Sequence, residues 1–355
     1  MEKRLAVLRE KLAANNLSAA FIYSKENRRY ISGFTGSTGY VIVTADKAYF
    51  VTDFRYRDQA QQQCVGFEVI IHGSSLICQL KETLSNSNVK TLGIEEGTMT
   101  VAFYENLKSS LDNVELLPLK GIMDELRLYK DAEEIENIAK AAAIADDAFT
   151  HILSFIKPGI REVEVAVELE YFCKKHGAAE MSFDSIVASG VRSSLPHGVF
   201  SQKVINNGEF LTLDFGCVYN GYCSDMTRTV FVGKADEKQK KIYNTVLEAQ
   251  QKALEQIKPG ILGKEVDKIA RDIITAAGYG ENFGHGLGHG VGLAVHEEPR
   301  LSPLGERVLE ANMVVTDEPG IYIAEYGGVR IEDLVLITEE GNRVLSKSPK
   351  HLIEL

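Results

Sequence analysis

Two aspartates lie on opposite sides of a predicted tight turn. The segment FLTLDFGCVYNGYCSDMTRTVFV (210–232) alternates apolar and polar residues around the Asn-Gly pair at 220–221, which is typical of a β-hairpin. With that turn, Asp214 pairs with Thr227, and Asp225 lies two residues from Thr227 on the same face. The aspartates are then diagonal neighbours, about 7 Å apart at the backbone, and could bind cations together. The alternative is a solvent-facing hairpin with two ordinary acids.

A second acidic pair lies near the end of the chain. In MVVTDEPGIYIAEYGGVRIEDLVLIT (313–338), Glu318 ends one predicted strand, and Glu332 lies inside another with Arg330 on the same face. Charged side chains in strands this apolar need partners, because burying an isolated charge is costly. The sequence allows a cation site here, or an Arg330–Glu332 ion pair with a structural role.

Three histidines occur in the glycine-rich segment FGHGLGHGVGLAVHEEP (283–299). Glycine at alternate positions disfavours a helix, so His285 and His289 do not form a helical zinc pair, and the spacing does not match a dinucleotide-binding GxGxxG motif. An extended segment places His285 and His289 on one face and His296 on the other. Its glycines allow close approach of other backbone. His197, in SLPHG, is a loop histidine that carries little weight alone.

An internal repeat indicates how these segments meet. The sequence IKPGI occurs at 156–160 and again at 257–261, each time between a long helix and a helix of about fifteen residues. This predicts two similar α+β halves with a cleft on their pseudo-twofold axis, where residues from both halves could converge.

The first 120 residues predict a smaller α/β domain, and the domain limits are expected to be 1–121 and 122–355. A long helix is expected to start near Met123 and to end before the Pro-Gly at 158–159. The N-terminal domain is expected to contain four strands and two amphipathic helices: strands at 19–23, 39–44, 47–53 and 67–71, and helices at 1–15 and 55–64.

Composition limits the possible functions. The net charge is −11, and residues 122–355 hold 25 Lys and Arg against 37 Asp and Glu, which argues against nucleic-acid binding. There is no signal-peptide core and no run of eighteen apolar residues, so neither export nor a membrane span is expected. The five cysteines form no CxxC pair, which favours a reduced, cytoplasmic location.

Four motifs together resemble the pita-bread metallopeptidases, and within them aminopeptidase P and prolidase, which cleave Xaa-Pro bonds. The motifs are LDFG…GYCSDMTRT, GHGLGHGVGLAVHEEP, TDEPGIY and GVRIEDL, in that order. The resemblance covers nearly the whole chain. It implies an α+β fold in which a duplicated pita-bread catalytic domain follows a creatinase-type α/β N-terminal domain.

The resemblance also implies a site for two divalent metal ions. The implied ligands are Asp214, Asp225, His289, Glu318 and Glu332. Asp225 and Glu332 would bridge the metals, with Asp214 on one metal, and with His289 and Glu318 on the other. Four carboxylates and one imidazole suit Mn²⁺, with Co²⁺, Fe²⁺ or Zn²⁺ as substitutes. Two metals lower the pKa of a bridging water and polarise the scissile carbonyl.

Further residues receive auxiliary roles from the same resemblance. Glu318 would accept a proton from the attacking water, His197 and His296 would stabilise the oxyanion or the substrate termini, and Arg330 would hold Glu332. His285 is a further auxiliary histidine. One departure is Asp317, where the family usually has an apolar residue; it could add negative charge to the site or point away from it.

The expected function is hydrolysis of the bond before proline in small proline-containing peptides, by an Xaa-Pro dipeptidase acting as a homodimer. An Xaa-Pro aminopeptidase acting on longer peptides is the alternative. A methionine-type aminopeptidase would not need the N-terminal domain. A non-catalytic peptide-binding module, or a creatinase-like enzyme without metals, would require loss of ligands that are all present.

Overall fold

The computed structural model describes residues 1–73, 75–111 and 113–355. Contacts within the chain divide it into two compact units, Met1–Arg127 and Leu128–Leu355. The domain boundary expected after residue 121 stays a prediction; the helix Ile122–Arg127 that follows that position clusters with the first unit. Among the described residues, no helix combines the length and the apolar character that crossing a bilayer requires.

The first unit is a mixed sheet with helices. Its elements, in chain order, are α1 (Glu2–Ala14), β1 (Ala19–Ile22), α2 (Lys25–Ser32), β2 (Tyr40–Thr44), β3 (Ala48–Thr52), α3 (Arg57–Gln63), β4 (Glu68–Ile71), α4 (Leu76–Asn86), β5 (Thr91–Ile94), α5 (Val101–Ser110), β6 (Glu115–Pro118) and α6 (Ile122–Arg127).

The strands of the first unit form one six-stranded sheet in the order β4-β3-β2-β1-β5-β6. Strands β1, β2 and β3 pair antiparallel, and the outer strands β4, β5 and β6 are added in parallel. Strands β1, β2 and β3 are buried along their whole length, as strands covered on both faces require. The four predicted strands are confirmed, while β5 and β6 were not anticipated.

The second unit contains the remaining elements. They are α7 (Ala132–Phe155), α8 (Glu162–Lys175), β7 (Glu180–Met181), β8 (Ile186–Ser189), β9 (Glu209–Phe215), β10 (Cys217–Tyr219), β11 (Tyr222–Cys223), β12 (Met226–Val232), α9 (Glu237–Leu254), α10 (Gly263–Ala276), β13 (Gly288–Gly290), β14 (Glu297–Leu301), β15 (Val314–Asp317), β16 (Gly320–Ile323), β17 (Gly327–Arg330), β18 (Asp333–Ile337) and β19 (Asn342–Val344).

The repeat seen in the sequence is a repeat of structure. Helices α8 and α10 have 14 residues each, and both follow a glycine with positive φ: 97° at Gly159 and 92° at Gly260. Strands follow the helix pair in each half. Each half also has its own apolar core, one around Phe149 and Phe215 and the other around Tyr243 and Val335. The predicted duplicated α+β architecture is therefore confirmed.

The helix expected to run unbroken from near Met123 is interrupted. Helix α6 ends at Arg127, and α7 begins after Asp131, whose side chain accepts from the backbone of Glu134. The Glu134 side chain accepts in turn from the backbone N–H of Asp131. This capping box satisfies amides that a new helix leaves open, so the prediction of a single helix was wrong at this point.

Candidate functional site

The hairpin that carries the two aspartates has the predicted register. Asp214 on β9 pairs with Thr227 on β12, and the turn residues Asn220 and Gly221 both have positive φ, 44° and 76°. Positive φ at both central residues is what a type I′ turn requires. Asp225 directly precedes β12, so the two aspartates lie side by side as the sequence predicted. Both are nearly inaccessible to solvent, which excludes a solvent-facing hairpin.

His289 lies on β13, between two glycines that allow neighbouring chains to come close. A side chain at Gly288 would place its Cβ 2.1 Å from the carbonyl oxygen of Thr316, and one at Gly290 would come 2.1 Å from that of Glu298. Any larger residue would therefore push β13 away from β14 or β15. The alternating glycines fix the depth at which the imidazole enters the sheet, as their spacing indicated.

The two glutamates lie at the ends of strands. Glu318 directly follows β15, and its backbone N–H donates to Leu287 at 2.8 Å. Glu332 lies in the break between β17 and β18 rather than inside a strand, which corrects the sequence prediction. The break lets the Glu332 N–H leave its own sheet and donate to the carbonyl of Thr227 at 3.1 Å. That bond ties the second half to the first-half hairpin.

These elements bring the predicted ligands together. One ligand-capable atom from each of Asp225, His289 and Glu332 lies within 4.8 Å of the other two. Nε2 of His289 is 3.6 Å from Oδ2 of Asp225 and 3.3 Å from Oε1 of Glu318. Nδ1 of the same ring bonds to the carbonyl of Gly290 at 3.1 Å, so Nε2 is the nitrogen that faces the acids.

The acid cluster carries more negative charge than its protein partners neutralise. Burial, and after it the charge of neighbouring acids, raises the pKa of Asp225 and of Glu332 well above the ordinary range. Burial also raises the pKa of Asp214, although the charge of Arg330 opposes it. Oδ1 of Asp214 is buried and has no hydrogen-bond partner within the described part of the chain. Buried carboxylates with such unmet needs are the donors that a divalent cation takes.

Glu318 and His289 stabilise each other's charged forms. Burial opposes ionisation of Glu318, but the hydrogen bond and charge of His289 outweigh it and lower its pKa to about 2. Burial likewise opposes the charged imidazole, but the bond to Glu318 and the charge of Asp225 raise the pKa of His289 to about 9. A proton on Nε2 of His289 therefore lies between the acids. Their negative charge would attract a metal cation at that position in the same way.

Arg330 is the buried cation that orders the acids. Its guanidinium donates to Oδ2 of Asp214 at 2.6 Å, to Oγ1 of Thr227 at 3.0 Å and to the Tyr322 hydroxyl at 2.8 Å. Oγ1 of Thr227 donates to Oε2 of Glu332 at 2.7 Å. The structure therefore pairs Arg330 with Asp214 directly and connects it to Glu332 through Thr227, so the alternative of a direct Arg330–Glu332 ion pair is not observed.

Two of the auxiliary histidines, His285 and His296, contact residues of the site. Nε2 of His285 is 2.8 Å from the hydroxyl of Tyr322, and the ring centroids of His289 and His296 are 4.2 Å apart. Burial is the main cause that lowers the pKa of His285 and of His296, and the charge of His197 acts in the same direction on both. His197 and His296 are exposed and are accessible to a substrate.

Asp317 points away from the ligand cluster. Its Oδ2 accepts from Nε2 of Gln250 at 3.1 Å, and its backbone pairs with that of Asp333 on β18. Burial, and after it the charge of Asp333, raises the pKa of Asp317. Of the two possibilities that the sequence left open, the structure shows the second: Asp317, the last residue of β15, and Glu318, which follows it, face opposite sides.

Three residues of the site were not anticipated: Thr227 as a bridge, Tyr322 and Thr316. Oγ1 of Thr316 accepts from the N–H of His289 at 3.0 Å and donates to Oε1 of Glu318 at 3.1 Å, so one hydroxyl holds two predicted ligands. Thr316 lies two residues before Glu318, and residues at that spacing in a strand share a face, so the sequence could have indicated their contact. Tyr322 gave none, because its partners His285, in the loop before β13, and Arg330, on β17, come from other elements.

Comparison with known proteins matches the chain to a family. Residues 136–339 match metallopeptidase family M24, and residues 4–129 match the creatinase/prolidase N-terminal domain. The chain is 44% identical to an Xaa-Pro dipeptidase from Pyrococcus furiosus, with 99% of this chain and 100% of that protein covered.

Two solved structures are similar along their whole length. A structure of the Xaa-Pro dipeptidase from Bacillus anthracis superposes with a TM-score of 0.98 at 48% identity, covering 100% of this chain and 99% of that one. A structure of X-Pro aminopeptidase from Thermotoga maritima gives 0.91 at 37% identity, covering 98% of this chain and 100% of that one. These matches bear out the pita-bread fold with its creatinase-type N-terminal domain. They also argue against a non-catalytic binding module: the chain is an enzyme that belongs to metallopeptidase family M24.

Proposed function

We propose that the enzyme is a metal-dependent dipeptidase that hydrolyses the peptide bond before proline in Xaa-Pro dipeptides. The observation that carries the proposal is the convergence of Asp225, His289 and Glu332, with Glu318 and Asp214 beside them, in one largely buried cluster. The full-length similarity to proteins named Xaa-Pro dipeptidase supports the substrate class.

The donor set fits divalent cations. Asp214, Asp225, His289, Glu318 and Glu332 would hold two ions, and their four carboxylates and one imidazole suit Mn²⁺ best, with Co²⁺, Fe²⁺ or Zn²⁺ as substitutes. Such ions supply Lewis acidity and a water of lowered pKa to hydrolytic reactions. The buried Oδ1 of Asp214 and the raised pKa values of Asp225 and Glu332 support this assignment.

The side chains around the donors would handle protons and charge. Glu318 has a lowered pKa and is ionised at neutral pH, the form needed to accept a proton from the attacking water. His197 and His296 are exposed and near the cluster, so they can donate to the oxyanion or to the substrate carboxylate. Arg330 keeps Asp214 oriented, and through Thr227 it also orients Glu332.

A second candidate is an Xaa-Pro aminopeptidase acting on longer peptides. The observation that favours it is the similarity to X-Pro aminopeptidase from Thermotoga maritima. The two activities differ in whether residues beyond proline are accepted, which the ligand cluster does not decide.

Turnover of three peptides tests the proposal. The purified protein, loaded with Mn²⁺ and assayed by elemental analysis, should cleave Ala-Pro and leave the reversed dipeptide Pro-Ala intact. Cleavage of Ala-Pro-Ala at a comparable rate would favour the aminopeptidase. No bound metal after loading, or equal cleavage of Ala-Pro and Pro-Ala, would overturn the proposed function. We also propose that the protein is a homodimer, which sedimentation of the purified protein would test, and that it is cytoplasmic, which fractionation of the source cells would test.

A further inference from the structure

Two buried acids outside the ligand cluster hold the loops that carry auxiliary histidines. One is Glu162, the first residue of α8, which is 0% exposed, and the other is Asp267 on α10, which is 1% exposed. Neither was singled out by the sequence. Neither acid hydrogen-bonds to a predicted ligand, yet each bonds to the backbone of a loop that reaches the site.

The carboxylate of Glu162 joins both ends of the segment 189–201, which contains His197. Its Oε1 accepts from the N–H and hydroxyl of Ser189 at 2.8 and 2.9 Å. Its Oε2 accepts from the N–H and hydroxyl of Ser201 at 3.1 and 2.7 Å, and from Arg192. Both oxygens therefore accept from the same loop, which closes around one buried carboxylate.

Arg192 extends this hydrogen-bond network towards His197. Its Nη2 donates to the carbonyl of Val199 at 2.7 Å, and the N–H of Val199 donates to the carbonyl of His197 at 2.9 Å. The backbone beside His197 is thus connected to Glu162 through one guanidinium. Because His197 is exposed, its position depends on its loop rather than on packing.

In the second half, Asp267 fixes the backbone of a loop in a similar way, together with Arg271 one helical turn later. The two form a bidentate pair at 2.8 and 2.9 Å. Oδ1 of Asp267 accepts from the N–H of Leu287 at 3.0 Å, and Arg271 donates to the carbonyls of Phe283 and His285 at 2.8 and 2.7 Å. The loop that carries His285 is therefore fixed to α10.

The two acids lie on corresponding helices of the repeat but not at corresponding positions, since Glu162 is the first residue of α8 and Asp267 the fifth of α10. Helices α8 and α10 are the equivalent second helices of the two halves, and in each a buried acid with an arginine partner grips the backbone of a histidine-bearing loop. Resting on the proposed function, we propose that Glu162 and Asp267 are positioning residues, which set the places of His197 and His285 against the substrate.

Isosteric substitutions test the proposal, with matched controls on the same helices. Glu162→Gln replaces one accepting oxygen by an NH₂ group beside N–H groups and serine hydroxyls that now donate to it, and Asp267→Asn places an NH₂ group against N–H donors alone. The controls are Glu170→Gln on α8 and Asp272→Asn on α10, which each remove one partner of an exposed ion pair. Both test variants should lower kcat/KM for Ala-Pro about 10- to 100-fold, because small displacements of a positioned group cost that much. Manganese content should not change in Glu162→Gln, and the controls should match the wild type.

Double-mutant cycles separate positioning from a general structural role. If Glu162 acts through His197, Glu162→Gln should reduce turnover much less in a His197→Ala background than in the wild type. The same holds for Asp267→Asn with His285→Ala. Equal losses in both backgrounds, or wild-type turnover of either test variant, would overturn the proposal. Should Glu162→Gln fail to fold, Ser201→Ala removes one bond from the loop side and enters the same cycle.

Hydrogen exchange provides an arm that does not depend on the substrate. Glu162→Gln should speed backbone exchange in 189–201 and leave exchange in 283–289 unchanged. Asp267→Asn should speed exchange in 283–289 and leave exchange in 189–201 unchanged. If the wild-type enzyme did not cleave Ala-Pro, the proposed function would be refuted. The exchange patterns would still test whether the two acids position their loops. Unchanged exchange in both loops would refute the positioning role.

Discussion

Arg330 donates from Nη2 to Oδ2 of Asp214 at 2.6 Å, and both side chains are buried. The guanidinium comes from the second half of the catalytic unit and the carboxylate from the first. One oxygen of Asp214 is therefore neutralised by protein, and the other, Oδ1, has no hydrogen bond to the described residues. This division orients the free oxygen, which is what a metal ligand needs.

Asp225→Asn should abolish cation binding and peptide hydrolysis while the fold persists. The pKa of Asp225 is raised in the folded state, so its ionised form costs stability once the pH exceeds its unfolded pKa. At neutral pH the metal-free variant should therefore have a Tm equal to or above that of the metal-free wild type, but gain no stability from Mn²⁺. Elemental analysis and thermal melts with and without Mn²⁺ check this.

Asp184→Asn, at an exposed position, is the control for that experiment and should retain metal and activity. An Asp225→Asn protein with full metal content and full turnover would show that the ligand assignment is wrong.

Arg330→Lys should lower kcat/KM about 10- to 100-fold, the usual effect of losing a residue that orients a ligand. Lysine keeps the charge but cannot reach Asp214, Thr227 and Tyr322 together, because it lacks the planar fork of arginine. Metal titration should show weaker binding. Unchanged affinity and rate would mean that charge alone suffices at this position.

Tyr322→Phe should lower kcat/KM with little change in metal content. The Tyr322 hydroxyl links His285 at 2.8 Å and Arg330 at 2.8 Å, and removing it leaves both without that partner. The cost in unfolding free energy should be about 1 to 3 kcal/mol, measured by urea denaturation. Tyr279→Phe is a suitable comparison, because that ring is partly buried at the core of the second half without touching the acids.

Cation affinity should fall as the pH is lowered from about 8 to about 6. Protons and cations compete for the same carboxylates, and the pKa values of Asp225 and Glu332 lie well above their ordinary range. Competition therefore begins at a higher pH than for exposed acids. Calorimetric titration with Mn²⁺ at several pH values measures it, and a pH-independent affinity would contradict the predicted ligand set.

Gly221→Ala should destabilise the protein by about 1 to 2 kcal/mol. Gly221 has a φ of 76° in the turn that sets the register of Asp214, a conformation that alanine adopts only with strain. Gly341→Ala is the matched control, since its φ is not positive and a Cβ there would meet no atom within 4 Å. Denaturant unfolding compares the two, and equal stability would show that the turn tolerates a side chain.

Local sequence rules predicted the parts of the site that depend on neighbours in the chain. The Asn-Gly turn predicted the pairing of Asp214 with Thr227, and the alternating glycines predicted the close packing around His289. The interruption at Asp131 was missed because apolar periodicity continues across it, although the Asp131–Glu134 capping box was a readable signal.

Contacts between distant strands could not be predicted in the same way. Arg330 was expected to hold Glu332, two residues away in the chain. Its guanidinium instead hydrogen-bonds directly to Asp214, which belongs to the other half of the repeat. The direction of Asp317 was decided by Gln250 on α9. Such partners depend on how the two halves pack, which no local pattern records.

The ligands are divided between the two halves, with Asp214 and Asp225 in the first and His289, Glu318 and Glu332 in the second. An ion held by both sets closes a long loop of chain, and so acts as a reversible crosslink with an entropic effect like that of a disulfide. Metal supply would then set how long the folded enzyme survives proteolysis, as well as how fast it works.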